Sequence, residues 1–183
     1  MQVLSVNVGL PRLVEYNGEP VATAIFKEPV DGPVAVGELN LEGDRQADLT
    51  VHGGYRKAVY AYPFEHYEFW KKELSDAELP YGVFGENLTI LGILESDVSV
   101  GDRLRIGTAE FKVTQPRTPC YKLNIRFGRQ DMIKRFVKSG LSGFYLSIEV
   151  QGKLAAGDGV AIVERATETQ TIAQIVKEKF RLN

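Results

Sequence analysis

Apolar and polar residues alternate with a period of two through much of the first half of the chain, and glycine and proline cut that alternation into short pieces. Val3-Leu4-Ser5-Val6-Asn7-Val8 reads as a strand and Ala22-Thr23-Ala24-Ile25-Phe26 as another, with Gly18-Glu19-Pro20 as the turn between them. Val34 to Leu41 predicts extended structure after the Gly32-Pro33 turn, and Ala58 to Tyr62 is apolar enough for a buried strand that Pro63 stops. The period then lengthens. Phe64, Tyr67, Trp70 and Leu74 fall three and four residues apart with charges between them, which predicts an amphipathic helix beginning near Pro63 whose aromatic stripe packs on the sheet. Further strands are expected over Glu86–Ile90, Glu110–Thr114 and Ser142–Val150, and a second helix over about Gln130–Lys138.

Two segments echo each other. Val100-Gly101-Asp102-Arg103-Leu104-Arg105-Ile106 and Ala156-Gly157-Asp158-Gly159-Val160-Ala161-Ile162 each run from a Gly-Asp turn into alternating apolar positions, the pattern of a turn feeding a strand in a curled or closed sheet. Ten or so short strands with two substantial helices predict a mainly β, α+β chain, a β-barrel with helical insertions. The character changes at Ala166. Residues 1–165 are expected to form the barrel domain and residues 166–183 a helical tail, whose Ile172, Ile175, Val176 and Phe180 need an apolar partner. That face docks on the barrel, forms a homodimer, or belongs to a longer helical appendage.

Composition narrows the function classes. At 183 residues the chain suits one domain with a full core, and 44% hydrophobic against 25% charged residues is ordinary for a globular protein. A net charge of −2 gives no overall attraction to nucleic acid or anionic membrane, so no stable nucleic-acid binding is expected. No apolar run reaches membrane-span length and the N-terminus lacks signal-peptide character, which together with a single cysteine predicts a reducing cytoplasm and no membrane.

That cysteine, Cys120, sits in Gln115-Pro116-Arg117-Thr118-Pro119-Cys120-Tyr121-Lys122. Two prolines stiffen the segment, and neighbouring cations on the same side would favour thiolate, as nucleophile or soft metal ligand. A buried cysteine acting as a small hydrophobe is the plainer alternative. The densest polar stretch runs from Leu41 to Val59 and contains Asp44, His52, Gly53-Gly54 and Lys57. Its glycines allow positive φ or close approach of a ligand to the main chain, with His52 and Lys57 at the rim. A hydrogen-bonded structural histidine and a solvated lysine are the plainer readings of those two. No phosphate-binding G-x-x-x-x-G-K-[ST] loop, His-Glu-x-x-His motif or cysteine pair is present. A Cys120–His52 hydrolase dyad is the remaining nucleophilic option. One thiol, one imidazole and several cations suit an anionic ligand carrying a thiophilic metal.

These residues also carry a resemblance. Gly43-Asp44-x-Gln46-Ala47-Asp48-Leu49, His52-Gly53-Gly54-x-x-Lys57-Ala58-Val59, Tyr62-Pro63-x-Glu65-His66-Tyr67, Phe84-Gly85-Glu86-Asn87-Leu88, Gly101-Asp102 and Gln115-Pro116-Arg117-x-Pro119-Cys120-x-Lys122-Leu123 follow one another in order. Together they resemble the MOSC domain, named for the C-terminal domain of molybdenum cofactor sulfurases, and most of all its stand-alone bacterial members. The match runs from about residue 1 to 163.

The resemblance implies a barrel-like fold binding molybdenum cofactor (molybdopterin), with Cys120 as molybdenum ligand or, in a sulfur-carrier or cofactor-binding module, as the bearer of a persulfide. It further implies Lys57, Arg117, Lys122 and Arg126 as cations for phosphate and pterin, Asn87 and His52 as readers of pterin edges, and Asp44 as an orienting or proton-relaying group. Cys120, Asp44 and His52 are thereby the expected catalytic residues. The stand-alone members resemble reductases of N-hydroxylated small molecules, among them hydroxylamines and N-hydroxylated bases. With no iron–sulfur cysteine cluster and no G-x-G-x-x-G fingerprint, electrons would come from a separate reductase partner. Such relatives commonly continue into a three-helix appendage, of which residues 166–183 would be a remnant.

Overall fold

A computed structural model describes residues 1–47, 53–167 and 169–182. Twelve strands and four α-helices alternate along them: β1 (Gln2–Val8), β2 (Arg12–Tyr16), β3 (Glu19–Thr23), β4 (Glu28–Pro29), β5 (Val34–Val36), β6 (Val59–Pro63), α1 (Glu65–Glu73), β7 (Leu88–Leu91), β8 (Arg103–Ile106), β9 (Ala109–Pro116), α2 (Lys122–Phe127), α3 (Met132–Ser139), β10 (Phe144–Val150), β11 (Gly152–Leu154), β12 (Val160–Glu164) and α4 (Ile172–Phe180). Eight strands form one sheet in the order β12-β8-β9-β10-β6-β7-β1-β4, and β11-β5 and β2-β3 form two small ribbons. Within the large sheet β6 and β7 run parallel and the other neighbours antiparallel.

The expected closed barrel is corrected by this topology. Strands β12 and β4 are the sheet's two ends and do not pair with each other. The sheet does curl: Val3 N donates to Asp158 O at 2.9 Å, Gly157 N to Val3 O at 2.8 Å and Val160 N to Met1 O at 3.0 Å. These bonds tie the start of β1 to the turn before β12, without a continuous ladder across the gap. Both Gly-Asp turns serve the architecture. Asp102 accepts from Ser99 N at 3.0 Å and Asp158 from Ala155 N at 2.8 Å, and the strands that follow, β8 and β12, pair with one another.

Two apolar cores result. Inside the curl lie Val3, Val6, Leu88, Ile90, Leu104, Phe111, Phe144 and Leu146, joined by Ile172 and Val176 from α4. The last helix therefore buries its face against this chain's own sheet, and a Thr171–Gln174 capping box fixes its start. A second core, largely aromatic, fills the space under α1 and α3. Tyr67, Trp70 and Leu74 are almost wholly buried there beside Tyr62, Phe84 and Phe136, as the aromatic stripe predicts. Trp70 Nε1 donates to the Tyr62 hydroxyl at 2.7 Å, which lets both rings lie in the apolar layer with their polar atoms satisfied.

Four local expectations shift. The strand expected over Ala22 to Phe26 lies over Glu19–Thr23, so Glu19 and Pro20 pair with β2 and only Gly18 remains in the turn. Extended structure after Pro33 stops at Val36, with a single bridge to Leu41. The second long helix lies over Met132–Ser139. Helix α2 is absent from the periodicity reading because six residues carry too little pattern: only Leu123 and Phe127 mark its apolar side, and Gly128 ends it at φ 61°.

Glu86 sits at the heart of the aromatic layer. Its carboxylate accepts from the Tyr67 hydroxyl at 2.5 Å, Gly82 N at 2.9 Å, Phe84 N at 3.0 Å and the Thr89 hydroxyl at 3.0 Å. Burial raises its pKa above the ordinary 4.5, with those donors opposing the shift. The sign follows from linkage: a group that binds its proton more tightly when folded contributes stability in full below 4.5 and loses it as pH rises through the folded value. Glu86→Gln is therefore expected to flatten that part of the stability profile, measured as urea midpoint against pH. An unchanged slope would contradict the assignment.

Candidate functional site

The sheet brings the Cys120 segment against the stretch around Asp44. Strand β9 ends at Pro116, opposite Phe144 of β10, and Arg117 N then donates to Gly143 O at 3.4 Å. Residues 117–120 carry no regular structure, and Leu123 N donates to Cys120 O at 2.9 Å as α2 begins. The two prolines thus mark the strand's end and the approach to the helix, leaving Cys120 on a stiff connection between them. Gly143 is required opposite. Its φ is 61°, and a Cβ there would come within 2.5 Å of Ala61 O and 2.9 Å of the Tyr60 ring. Its N–H donates to Glu95 Oε1 at 2.6 Å, and the same carboxylate meets His66 Nε2 at 2.8 Å.

A cleft of about 610 Å³, its open mouth included, lies beside Cys120. Thr23, Lys27, Asp44, Lys57, Asn87, Arg117, Lys122 and Tyr145 line it together with the half-buried thiol. Six residues singled out in the sequence are thereby brought together: Cys120, Asp44, Lys57, Asn87, Arg117 and Lys122. Gly53 lines the cleft as well, and both Gly53 and Gly54 have positive φ, 99° and 75°. His52 lies outside the described residues, as does Asp48. Arg126 is not part of the lining; it lies over the Phe26 ring, 5.3 Å from its centroid.

Asp44 and Asn87 are fully engaged with the scaffold. The Asp44 carboxylate, 1% exposed, accepts from Lys27 Nζ, from Gly9 N at 2.9 Å and from Asn87 Nδ2 at 3.0 Å. Asn87 also donates to Asn7 O at 3.2 Å and accepts from Tyr60 N at 3.1 Å. These bonds fasten the polar stretch to β1 and β6, so the observed work of both side chains is to hold the cleft wall in place. Lys27, which no motif marked, is the buried counter-charge of Asp44. Burial lowers its pKa and Asp44 works against that.

Arg117 behaves differently. It is 5% exposed, and its guanidinium carbon lies 5.2 Å from the Tyr60 centroid and 4.9 Å from that of Phe136. Its Nη1 is buried with no hydrogen-bond partner among the described residues. Burial works to lower its pKa, but Tyr60, Tyr145, Cys120 and Tyr62 outweigh it and the net shift is upward, so the charge persists. Lys122, 8% exposed on the same cleft, also has no carboxylate within ion-pair distance among the described residues. Tyr145 was missed in the sequence, where it reads as one more strand aromatic. Its phenol is pushed above its ordinary pKa by burial; Arg117 opposes the shift and Cys120 adds to it, so the group stays a neutral hydrogen-bond donor.

The donor set fits an anionic, thiophilic group. A buried guanidinium nitrogen without a partner is costly unless an anion satisfies it, and a thiol stands beside it. Among the described residues no three His, Cys, Asp or Glu side chains gather as a metal cage. A metal entering here would meet Cys120 as its protein ligand and bring the rest of its coordination with it.

A mixed α+β protein with a curled sheet and a single-thiol, cation-lined cleft is the class that emerges, and the chain belongs to the MOSC domain family, whose model matches residues 48–161. It is 42% identical over 163 residues to YflK of Bacillus subtilis (strain 168), which covers 89% of this chain and 73% of that protein. The crystal structure of YiiM from Geobacillus stearothermophilus is similar at a TM-score of 0.81 and 36% identity, covering 98% of this chain and 83% of that one. A protein of Gibberella moniliformis (strain M3125 / FGSC 7600) named "Reductase" is 32% identical over 166 residues, 89% of this chain but 29% of its own length.

Proposed function

We propose that this protein is a molybdenum-cofactor-dependent oxidoreductase that reduces N-hydroxylated compounds, with Cys120 as the protein ligand to molybdenum. The observation that carries the reading is the half-buried thiol beside a buried guanidinium whose Nη1 has no partner among the described residues. Family membership and the reductase name of one relative support it.

When bound, the cofactor supplies two-electron transfer at a metal that takes a thiolate readily. The chain's own residues do the rest. Arg117, Lys122 and Lys57 hold the anionic periphery, with Arg117 able to use its unpartnered Nη1. Asp44, Lys27 and Asn87 keep the opposite wall in register through their mutual bonds. Tyr145 Oη, neutral and on the cleft, donates a hydrogen bond to the hydroxyl oxygen of the substrate. The reaction balances as R–NHOH with two electrons and two protons giving R–NH₂ and water. The electrons come from a separate reductase, since the sequence shows no iron–sulfur cysteine cluster and no dinucleotide fingerprint.

Protein isolated from cells able to make the cofactor is expected to reduce an aromatic hydroxylamine to the amine when a reduced viologen dye supplies electrons, and Tyr145→Phe is expected to slow turnover by roughly 10²-fold or more. Product amine is read by chromatography. A persulfide on Cys120 by mass spectrometry, with no amine formed, would favour the sulfur-carrier alternative instead.

A further inference from the structure

Eight of the chain's eleven arginines fall into two groups. Arg103, Arg105, Arg129, Arg135 and Arg165 each lie within 4 Å of a carboxylate. Arg12, Arg117 and Arg126 have no such partner among the described residues and lie over aromatic rings instead. Shortage of acids does not explain this, because 24 acidic residues face 22 basic ones. Arg117 belongs to the cleft. Arg12 and Arg126 form a second feature outside its lining, sharing one ring: their guanidinium carbons lie 3.6 Å and 5.3 Å from the Phe26 centroid.

Two guanidiniums held at one ring repel each other. The pKa of Arg126 is lowered, by burial first, and the Arg12 charge adds to the lowering while Glu86 and Glu28 oppose it. Arg126 Nε is also shut from water with no hydrogen-bond partner among the described residues. Such an arrangement costs stability unless an anion compensates both charges. Its position points to what the anion belongs to. Phe26 lies between Ile25 and Lys27, both on the cleft, and Arg126 follows cleft-lining Lys122 by one helical turn on α2. The site therefore adjoins the cleft through Phe26 and α2, outside the residues that line it.

We infer that Arg12 and Arg126, mounted on Phe26, form an anion subsite beside the cleft that takes the phosphate of a phosphorylated ligand. On the proposed function the cleft's own cations hold one anionic group, so this second subsite suits a substrate bearing a phosphate ester, such as an N-hydroxylated nucleotide rather than the free base. Only that last identification rests on the proposed function. A phosphate carried by a larger form of the cofactor has the same chemistry, and the two sources separate by experiment.

Inorganic phosphate titrated into the metal-free protein is the first test, followed through the Arg side-chain Nε–H signals in ¹⁵N–¹H spectra at constant ionic strength. The Arg126 signal is expected to shift and saturate, and Arg12→Gln to weaken binding about tenfold or more. A shift no larger than that given by sodium chloride, or one that survives in Arg12→Gln, overturns the subsite whatever the fate of the molybdenum reading. In the cofactor-loaded protein, the second test compares kcat/KM for an N-hydroxylated base and its 5′-monophosphate. Preference for the monophosphate that Arg12→Gln removes assigns the phosphate to the substrate. Loss of molybdenum retention in Arg12→Gln, without such a preference, assigns it to the cofactor. No effect on either overturns the subsite.

Discussion

Replacing Asp44 by alanine is expected to lower the stability of this protein by about 3–5 kcal/mol, the cost of leaving a buried ion-pair partner alone. Lys27, 8% exposed, would lose its counter-charge, and Gly9 N and Asn87 Nδ2 would lose their acceptor. Unfolding in urea with tryptophan fluorescence reads the effect directly, since Trp70 lies in the aromatic core. A second variant separates structure from chemistry. Lys27→Met with Asp44→Leu replaces both charges by apolar groups and is expected to recover a good part of the loss, because the pair is costly chiefly when one member is missing. If Asp44→Ala cost under about 1 kcal/mol, the carboxylate would not be the fastening described here.

The second large effect falls on Cys120. Cys120→Ser is expected to fold with stability within about 1 kcal/mol of the parent, because the thiol is half-buried and outside both apolar cores. Reduction of hydroxylamines by the same variant is expected to fall by roughly 10³-fold or more, since a hydroxyl is a harder and far less acidic ligand than a thiol. Arg117→Gln provides the contrast. It removes the charge while keeping a polar group, and is expected to weaken cofactor retention by about tenfold per lost charge-assisted contact, while leaving the thiol available. Stability and activity thus move independently across the three positions. On the proposed function, Asp44 would act through the wall, Cys120 through the metal and Arg117 through the anionic periphery.

How much of this was legible beforehand depended on the range of the interactions involved. Short alternating runs such as Val3 to Val8 and Ala58 to Tyr62 declared their strands, and the three-and-four spacing of Phe64 to Leu74 declared α1, because those signals are local. Closure of the sheet was not legible. Whether β12 meets β1 in a ladder or in a few bonds at the turn depends on twist accumulated over eight strands, which no window of sequence encodes. Helix α2 escaped because six residues span less than two turns.

At the site, Cys120, Asp44, Lys57, Asn87, Arg117 and Lys122 were marked in the sequence by ordered motif blocks, and all six line one cleft. Lys27 and Tyr145 were not, because each becomes distinctive only through a partner far away in the chain. Asp44 lies 17 residues from Lys27. Tyr145 meets Arg117 and Cys120 only once β9 and β10 pair. Arg126, which the resemblance implies as a cofactor-binding cation, lies over Phe26 outside the cleft lining, a placement that only the packing of α2 decides.

The central claim is that the half-buried thiol of Cys120 holds molybdenum in this cleft. Its most direct test is the molybdenum content of the intact protein and of Cys120→Ser, both isolated from cells that make the cofactor and measured by plasma mass spectrometry per polypeptide. Close to one molybdenum per chain in the first, and a small fraction of that in the second, is the predicted result. Equal content in the two, whether high or negligible, would contradict it.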